Sequence, residues 1–383
     1  MESTGVYWIP VYEALSAMGF DVALVDARSV KALPGRKTDV KDCQWIRDLY
    51  AHGLVRPCMV PEGEVLALRS YWRQRQRLIE QRSEQIQLMH KALEQMNVQL
   101  HKVLSDVTGV SGLAVLRSIL DGERDPLKLA ELAKPSVKAS KETLAKALEG
   151  TWAPHHLFSL RQAVETYDFY GERLKECDTC IDEQLGSMST PGGPGSSGSP
   201  RKIKPRKNQP NFDLQTRVTQ VLGVDPTIID GLDAMTVGTL LAEFGPDLSR
   251  FATEKHFSSF LGLCANNQIT GGRIKHARTK KVASRSATAL RLAAQSLHHS
   301  QSALGGFFRR MKARLGPKKA ITATARKIAV IYYRVLRYGL VYQDPGDAQY
   351  QEKFKEQSKR RLEKQAKRMG FTLTPATDTH GPS

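Results

Sequence analysis

Ile79-Glu80-Gln81-Arg82-Ser83-Glu84-Gln85-Ile86-Gln87-Leu88-Met89-His90-Lys91-Ala92-Leu93 is the stretch on which the architecture turns. Ile79, Ile86, Leu93 and Leu100 are spaced by sevens, and Met89, Met96 and Val103 repeat at the same interval, offset by three. Apolar residues at such positions line one side of a helix for about three heptads, with Arg82 as the one polar member. The pattern predicts a coiled coil. An intermolecular or mixed seam is expected, with an antiparallel hairpin inside one chain as the alternative.

Toward the N-terminus the pattern changes. Val11 to Met18 has helical spacing, and Gly19 stops it as a C-cap glycine would. Phe20-Asp21-Val22-Ala23-Leu24-Val25 reads as a buried strand. Asp39 can cap a helix through Trp45, Ile46 and Leu49 that Gly53 ends, and Leu54-Val55 suggests another short strand. Toward the C-terminus, Ser189 to Pro200 has linker composition, and Arg201 to Lys207 adds a basic run. The fold class is therefore α/β plus α. Residues 1–60 form an α/β domain, 61–185 a helical coiled-coil domain, 186–211 a flexible basic linker, 212–345 a mostly helical C-terminal domain, and 346–383 a charged tail expected to be disordered, with a solvated helix over 351–368 as the alternative.

Charge narrows the partners. The 383 residues carry 57 Lys and Arg against 39 Asp and Glu, a net charge of +18. Residues 255–343 contain no Asp or Glu, and their formal charge is also +18. The remainder balances to zero, so the basicity is local. A surface of one sign makes sense against a polyanion, which points to nucleic acid. No apolar run is long enough to cross a membrane, and Met1-Glu2-Ser3-Thr4-Gly5 lacks the form of a secretory signal. The five cysteines fit free thiols in a reducing cytoplasm, and the lone pair Cys177 and Cys180 reads as two thiols on a helix face.

Three motifs could carry chemistry. In Gly35-Arg36-Lys37-Thr38-Asp39-Val40-Lys41-Asp42, two carboxylates three apart at a helix start share a face, as Mg²⁺ ligands beside a phosphodiester would. In Asn266-Asn267-Gln268-Ile269-Thr270-Gly271-Gly272-Arg273, two glycines let a phosphate approach the backbone next to a hydroxyl. Thr270 could attack phosphorus, with Arg273, Lys275, Arg278, Lys280 and Lys281 as nearby cations; a phosphate-binding turn with no covalent step is the alternative. Ile229-Asp230-Gly231-Leu232-Asp233 resembles the hairpin of a helix-hairpin-helix, in which Gly231 would meet a DNA phosphate, but Asp233 stands at the second glycine.

These segments, in this order, resemble the DEDD transposases of bacterial insertion sequences of the IS-one-ten type, relatives of the Piv DNA invertase. The resemblance is carried by Glu2 to Trp8, Pro34 to Trp45, Leu104 to Gly112, Ser249 to Phe251, Leu261 to Gly272 and Lys318 to Ile321, and it covers about residues 1–340. It implies a RuvC-like (RNase H type) first domain, a coiled-coil domain and a C-terminal transposase domain. It also implies a recombinase that cuts and rejoins donor and target DNA, in some members guided by a structured bridge RNA. A homo-oligomer, dimer or tetramer, through the coiled coil and a bacterial cytoplasmic, nucleoid-associated location follow from the same reading. The family's acidic set binds Mg²⁺, and its second to fourth members fall on Glu2, Asp39 and Asp42. The first Asp is expected on a strand ahead of Glu2, so the RuvC-like domain is expected to be truncated. The family's serine nucleophile is replaced by Thr270, whose extra methyl restricts χ1. An inactive nucleic-acid-binding remnant and a metal-only junction nuclease are the competing readings.

Overall fold

The computed structural model describes residues 1–27, 30, 42–55, 57–61, 63–188, 207–279 and 284–374. The described residues divide into two compact units, Met1–Leu66 and Ala67–Ser383.

In the first unit, α1 (Trp8–Ala17) ends where expected. Gly19 adopts φ 85°, its N–H donates to the Ser16 carbonyl, and the Phe20 N–H donates to that of Leu15. This paired closure needs a left-handed residue, which glycine takes without a Cβ clash. Helix α2 (Asp42–Ala51) closes the same way through Gly53, whose N–H reaches Tyr50, while Leu54 reaches Leu49. The expected strands shrink to bridges. Val25 pairs in parallel with Glu2 and antiparallel with Pro57. Val25 is the one point at which the run Phe20–Val25 meets partners on both sides, and Phe20 itself is 61% exposed. Leu54-Val55 forms no ladder; instead Val55 joins Val25, Val30 and Leu49 in a small core with Trp45 and Ile46.

Helix α3 (Gly63–Gln95) carries the heptads. The seam does not run on as one helix. Asn97 takes φ 59°, and the chain restarts in α4 (Leu100–Val103). The break turns Met96, Val98 and Leu100 inward, all 0% exposed. They pack with α5 (Val110–Leu120), α6 (Pro126–Glu131), α7 (Lys141–Ala147) and α8 (Pro154–Met188). Asp125 and Ser140 cap α6 and α7. Helices α3 and α8 run antiparallel. The Cys177 thiol donates to the Tyr71 carbonyl, Arg75 pairs with Asp178 at 2.5 Å, and the Arg82 guanidinium lies 4.0 Å over the Tyr167 ring. Over its C-terminal half the seam packs within the chain, as in the hairpin alternative. Met89, Leu93, Met96 and Leu100 are covered by the chain's own helices, and the polar Arg82 is accommodated over the Tyr167 ring. Burial pushes the Cys177 thiol up to about 11, with the Asp178 charge adding to it.

The C-terminal part comprises α9 (Leu214–Leu222), α10 (Ala234–Phe244), α11 (Glu254–Phe260), strands β1 (Ala265–Thr270) and β2 (Arg273–Thr279), α12 (Arg285–Ser296), α13 (Ala303–Leu315), α14 (Pro317–Tyr338) and α15 (Gly346–Arg368). Asp213, Asp233, Thr253, Ser284 and Ser302 cap α9 to α13 by accepting from backbone N–H groups. Phe257 sits at the centre, ringed by Phe244, Phe251, Tyr332 and Tyr333, with the Tyr333 hydroxyl donating to the Phe251 carbonyl at 2.5 Å.

Two expectations about the ends and joints are also corrected. Residues 207–374 do not form a separate body from the helical region. Trp72 packs against Gly238, where a Cβ would overlap the indole, and its Nε1–H donates to the Thr239 hydroxyl. Glu243 accepts from both Arg69 and Arg73. Of the expected linker, residues 189–206 lie outside the described residues, and from Lys207 on the chain is pinned. Lys207 pairs with Asp106, Asn208 accepts from Arg75, and Asn211 donates to Asp178. Of the two readings of the tail, helix and disorder, residues 346–368 take the helix, because aromatic and acidic residues in the first turns of α15 find partners on α13 and α14. No described helix is long and apolar enough to cross a membrane.

Candidate nucleic-acid interface and nucleophile

Thr270 closes β1 and Arg273 opens β2, and the two are a directly paired couple in the antiparallel ladder. Between them lie only Gly271 and Gly272, at φ 56° and 73°. A two-residue hairpin turn with both central residues left-handed matches the right-handed twist of its strands and is easiest for glycine. Neither glycine has a neighbouring atom within 4 Å of where a Cβ would be. The turn conformation alone therefore accounts for both glycines, and close packing plays no part. The ladder shifts register between Gln268 and Ile269. Such a bulge sharpens the local twist.

The ribbon presents its tip to solvent. Thr270, Gly271, Gly272, Arg273 and Lys275 are exposed, and Ile269 is 62% exposed. The Thr270 hydroxyl makes no hydrogen bond to another described residue. Arg278 falls in the β2 backbone opposite Asn266. Lys280 and Lys281 lie outside the described residues. The sequence reading thus named three neighbours, Thr270, Arg273 and Lys275, that the hairpin holds within one turn of chain.

Gly231 is placed elsewhere. It links α9 to α10 at φ 90°, and a Cβ there would come 2.9 Å from the Ala293 carbonyl and 3.2 Å from Leu297. Close packing on α12 explains this glycine. Asp233, the departure from the hairpin pattern, caps α10 by accepting from Thr236 N–H at 2.8 Å. The local helix start has taken the position.

Of the acidic set, Glu2 belongs to the first unit. It sits in the bridge to Val25, partly exposed, and its Oε1 accepts from the Thr4 hydroxyl at 2.7 Å. Asp42 opens α2. Asp39 lies outside the described residues. Among the described residues no group of three His, Cys, Asp or Glu side chains converges as a metal would require.

The acid-free window is less uncompensated than its composition suggests, because acids just outside it fold back. Glu254 pairs with Arg334 at 2.9 Å, and Asp347 with Arg309 at 2.5 Å. Arg310 and Lys327 stack on Phe307, Tyr350 and Phe354. Burial, then the neighbouring Arg310 charge, lowers the Lys327 pKa. Lys312 and Arg314 at the end of α13 and Lys318 and Lys319 at the start of α14 stay exposed around Gly316. Sequence reading missed this second cationic corner. Its signal was Gly316-Pro317, a helix stop beside a helix start, flanked by cations on both sides.

Two family models match the chain. One, described as a transposase model of the DEDD_Tnp_IS110 type, covers residues 1–98. The other, described as transposase IS116/IS110/IS902 family, covers residues 227–308 and so includes both Gly231 and the ribbon. No curated protein matches the chain.

Proposed function

We propose that this chain, which belongs to the IS110 family of transposases, cuts and rejoins DNA with the Thr270 hydroxyl as nucleophile. The observation that carries the reading is the exposed hydroxyl at the tip of a two-stranded ribbon, within the matched C-terminal region and beside Arg273 and Lys275. The cut forms an Oγ–phosphorus bond and breaks one phosphorus–oxygen bond to deoxyribose. The Thr270 proton leaves to solvent or a base, and the departing sugar oxygen gains one. Rejoining is the reverse, with a deoxyribose hydroxyl attacking the protein–DNA ester. Arg273 and Lys275 face the charge that builds on the phosphoryl oxygens, the usual source of stabilisation in such a step. The β-methyl that distinguishes Thr270 from serine narrows its rotamers.

DEDD transposases in general depend on a divalent metal. Glu2, Asp39 and Asp42 are the residues that would hold it. Their donor chemistry fits, being hard carboxylate oxygens without sulfur or imidazole, and Mg²⁺ is the ion such a set suits. When bound, such an ion supplies positive charge to a scissile phosphate. Thr270 and Glu2 belong to different units, so the proposal requires both to serve one DNA strand, within a chain or across a homo-oligomer. A structured guide RNA is a proposed second partner, on the family resemblance alone.

The test is a labelled duplex incubated with the protein and Mg²⁺, then run on a denaturing gel. A covalent protein–DNA species is expected. It should vanish in Thr270→Val while DNA binding persists. Strand cleavage that survives Thr270→Val but not Asp39→Asn would replace this reading with a metal-only nuclease.

A further inference from the structure

The distal half of α15 is a basic rod with no ion pair to another element among the described residues. Its proximal half is clamped. Asp347 pairs with Arg309, its N–H donates to the Gln301 carbonyl, and Arg310 lies 4.0 Å over the Phe354 ring. Gly306 on α13 makes room for this seat, since a Cβ there would overlap the Asp347 carboxylate. Past Phe354 the helix continues to Arg368 with no buried residue. Between Lys355 and Arg368 the sequence has seven Lys and Arg against Glu356 and Glu363.

The charge is arranged as well as abundant. At about 100° per residue, Arg360, Arg361, Lys364, Lys367 and Arg368 fall in a sector of roughly 120° that contains neither glutamate. A helix polar all round gains little from burial; here the anchor at its N-terminal end holds it. The stretch from Lys355 to Arg368 is about 20 Å long, at ~1.5 Å per residue.

We propose that α15 is an arm that binds the phosphate backbone of duplex DNA, outside the ribbon site and independent of sequence. The proposal rests on the reading that this chain handles DNA, but not on Thr270 being a nucleophile. It commits to duplex DNA on charge complementarity between this basic sector and the phosphate backbone. The test compares the full chain with Arg360→Gln/Arg361→Gln/Lys364→Gln/Lys367→Gln, after circular dichroism confirms equal helix content. Affinity for a random-sequence duplex is measured from about 0.05 to 0.2 M salt. Each lost phosphate contact should flatten the slope of log K against log salt by about 0.9, so a drop of about 2 to 4 is expected, with affinity about tenfold or more weaker at the low-salt end. Covalent adduct formation at saturating DNA should be unchanged. An unchanged slope and affinity would overturn the arm. So would a variant that loses affinity for a structured RNA but keeps it for duplex. Loss of the adduct in Thr270→Val bears on the nucleophile and leaves this result standing.

Discussion

At the scale of single residues, the turn glycines and the hydroxyl beside them do different work. Gly271 and Gly272 at φ 56° and 73° set the ribbon's geometry. Alanine at either position costs about 1–2 kcal/mol of left-handed strain, whereas asparagine at 271 should be tolerated. Amide exchange along β1 and β2 should quicken in Gly272→Ala and stay near wild type in Gly271→Asn. On the proposed mechanism, Thr270→Ser removes a methyl that would crowd the in-line attack. A misplacement of about 1 Å can cost on the order of a hundredfold, so single-turnover adduct formation should speed up by as much as that. Glu243 illustrates a buried charge that is held. Burial raises its pKa, but the hydrogen bond from Arg73 and the charges of Arg69 and Arg73 outweigh this and leave the pKa low. A lowered folded-state pKa stabilises above the unfolded value and is lost as pH falls through the folded one. Glu243→Gln should therefore lower the stability at pH 7 by about 3 kcal/mol or less, since Arg73 is 37% exposed, and lower the Tm accordingly. The gap from wild type should close below the ordinary value of 4.5.

At the scale of elements, local signals were the legible ones. Gly19 and Gly53 ended helices α1 and α2 as read, because a left-handed closure involves only the six or so residues around it. The heptads of α3 were visible, but what covers them was not. A seam of apolar residues is satisfied equally by a second copy and by a returning helix, and the return through α8 begins 59 residues after α3 ends, at Pro154 against Gln95. The strand Phe20–Val25 failed for the complementary reason: a ladder needs partners, and the partners are not in the run itself. The Thr270 stretch was legible as chemistry and not as shape. Asn-Asn-Gln-Ile-Thr has weak alternation, and the Gly-Gly turn signal was read first as a phosphate cradle. The tail left helix and disorder open because composition registers charge and misses three aromatic and acidic residues, Asp347, Tyr350 and Phe354, that seat a helix.

At the scale of the whole molecule, the helical region and the C-terminal region act as one body through a few residues of α3. Trp72 fills the notch at Gly238, and its neighbours Arg69 and Arg73 grip Glu243. Trp72→Ala should cost about 3–5 kcal/mol and lower the Tm of the second unit as a whole. No linker composition announced this joint, because its residues are spread over about 170 positions, from Arg69 to Glu243. The central claim concerns one oxygen atom on this body. Incubating the protein with duplex DNA and Mg²⁺, digesting both, and locating the nucleotide-bearing peptide by mass spectrometry tests it most directly. The account predicts a nucleotide esterified to Thr270; an ester on any other side chain, or cut DNA with no ester at all, would contradict it.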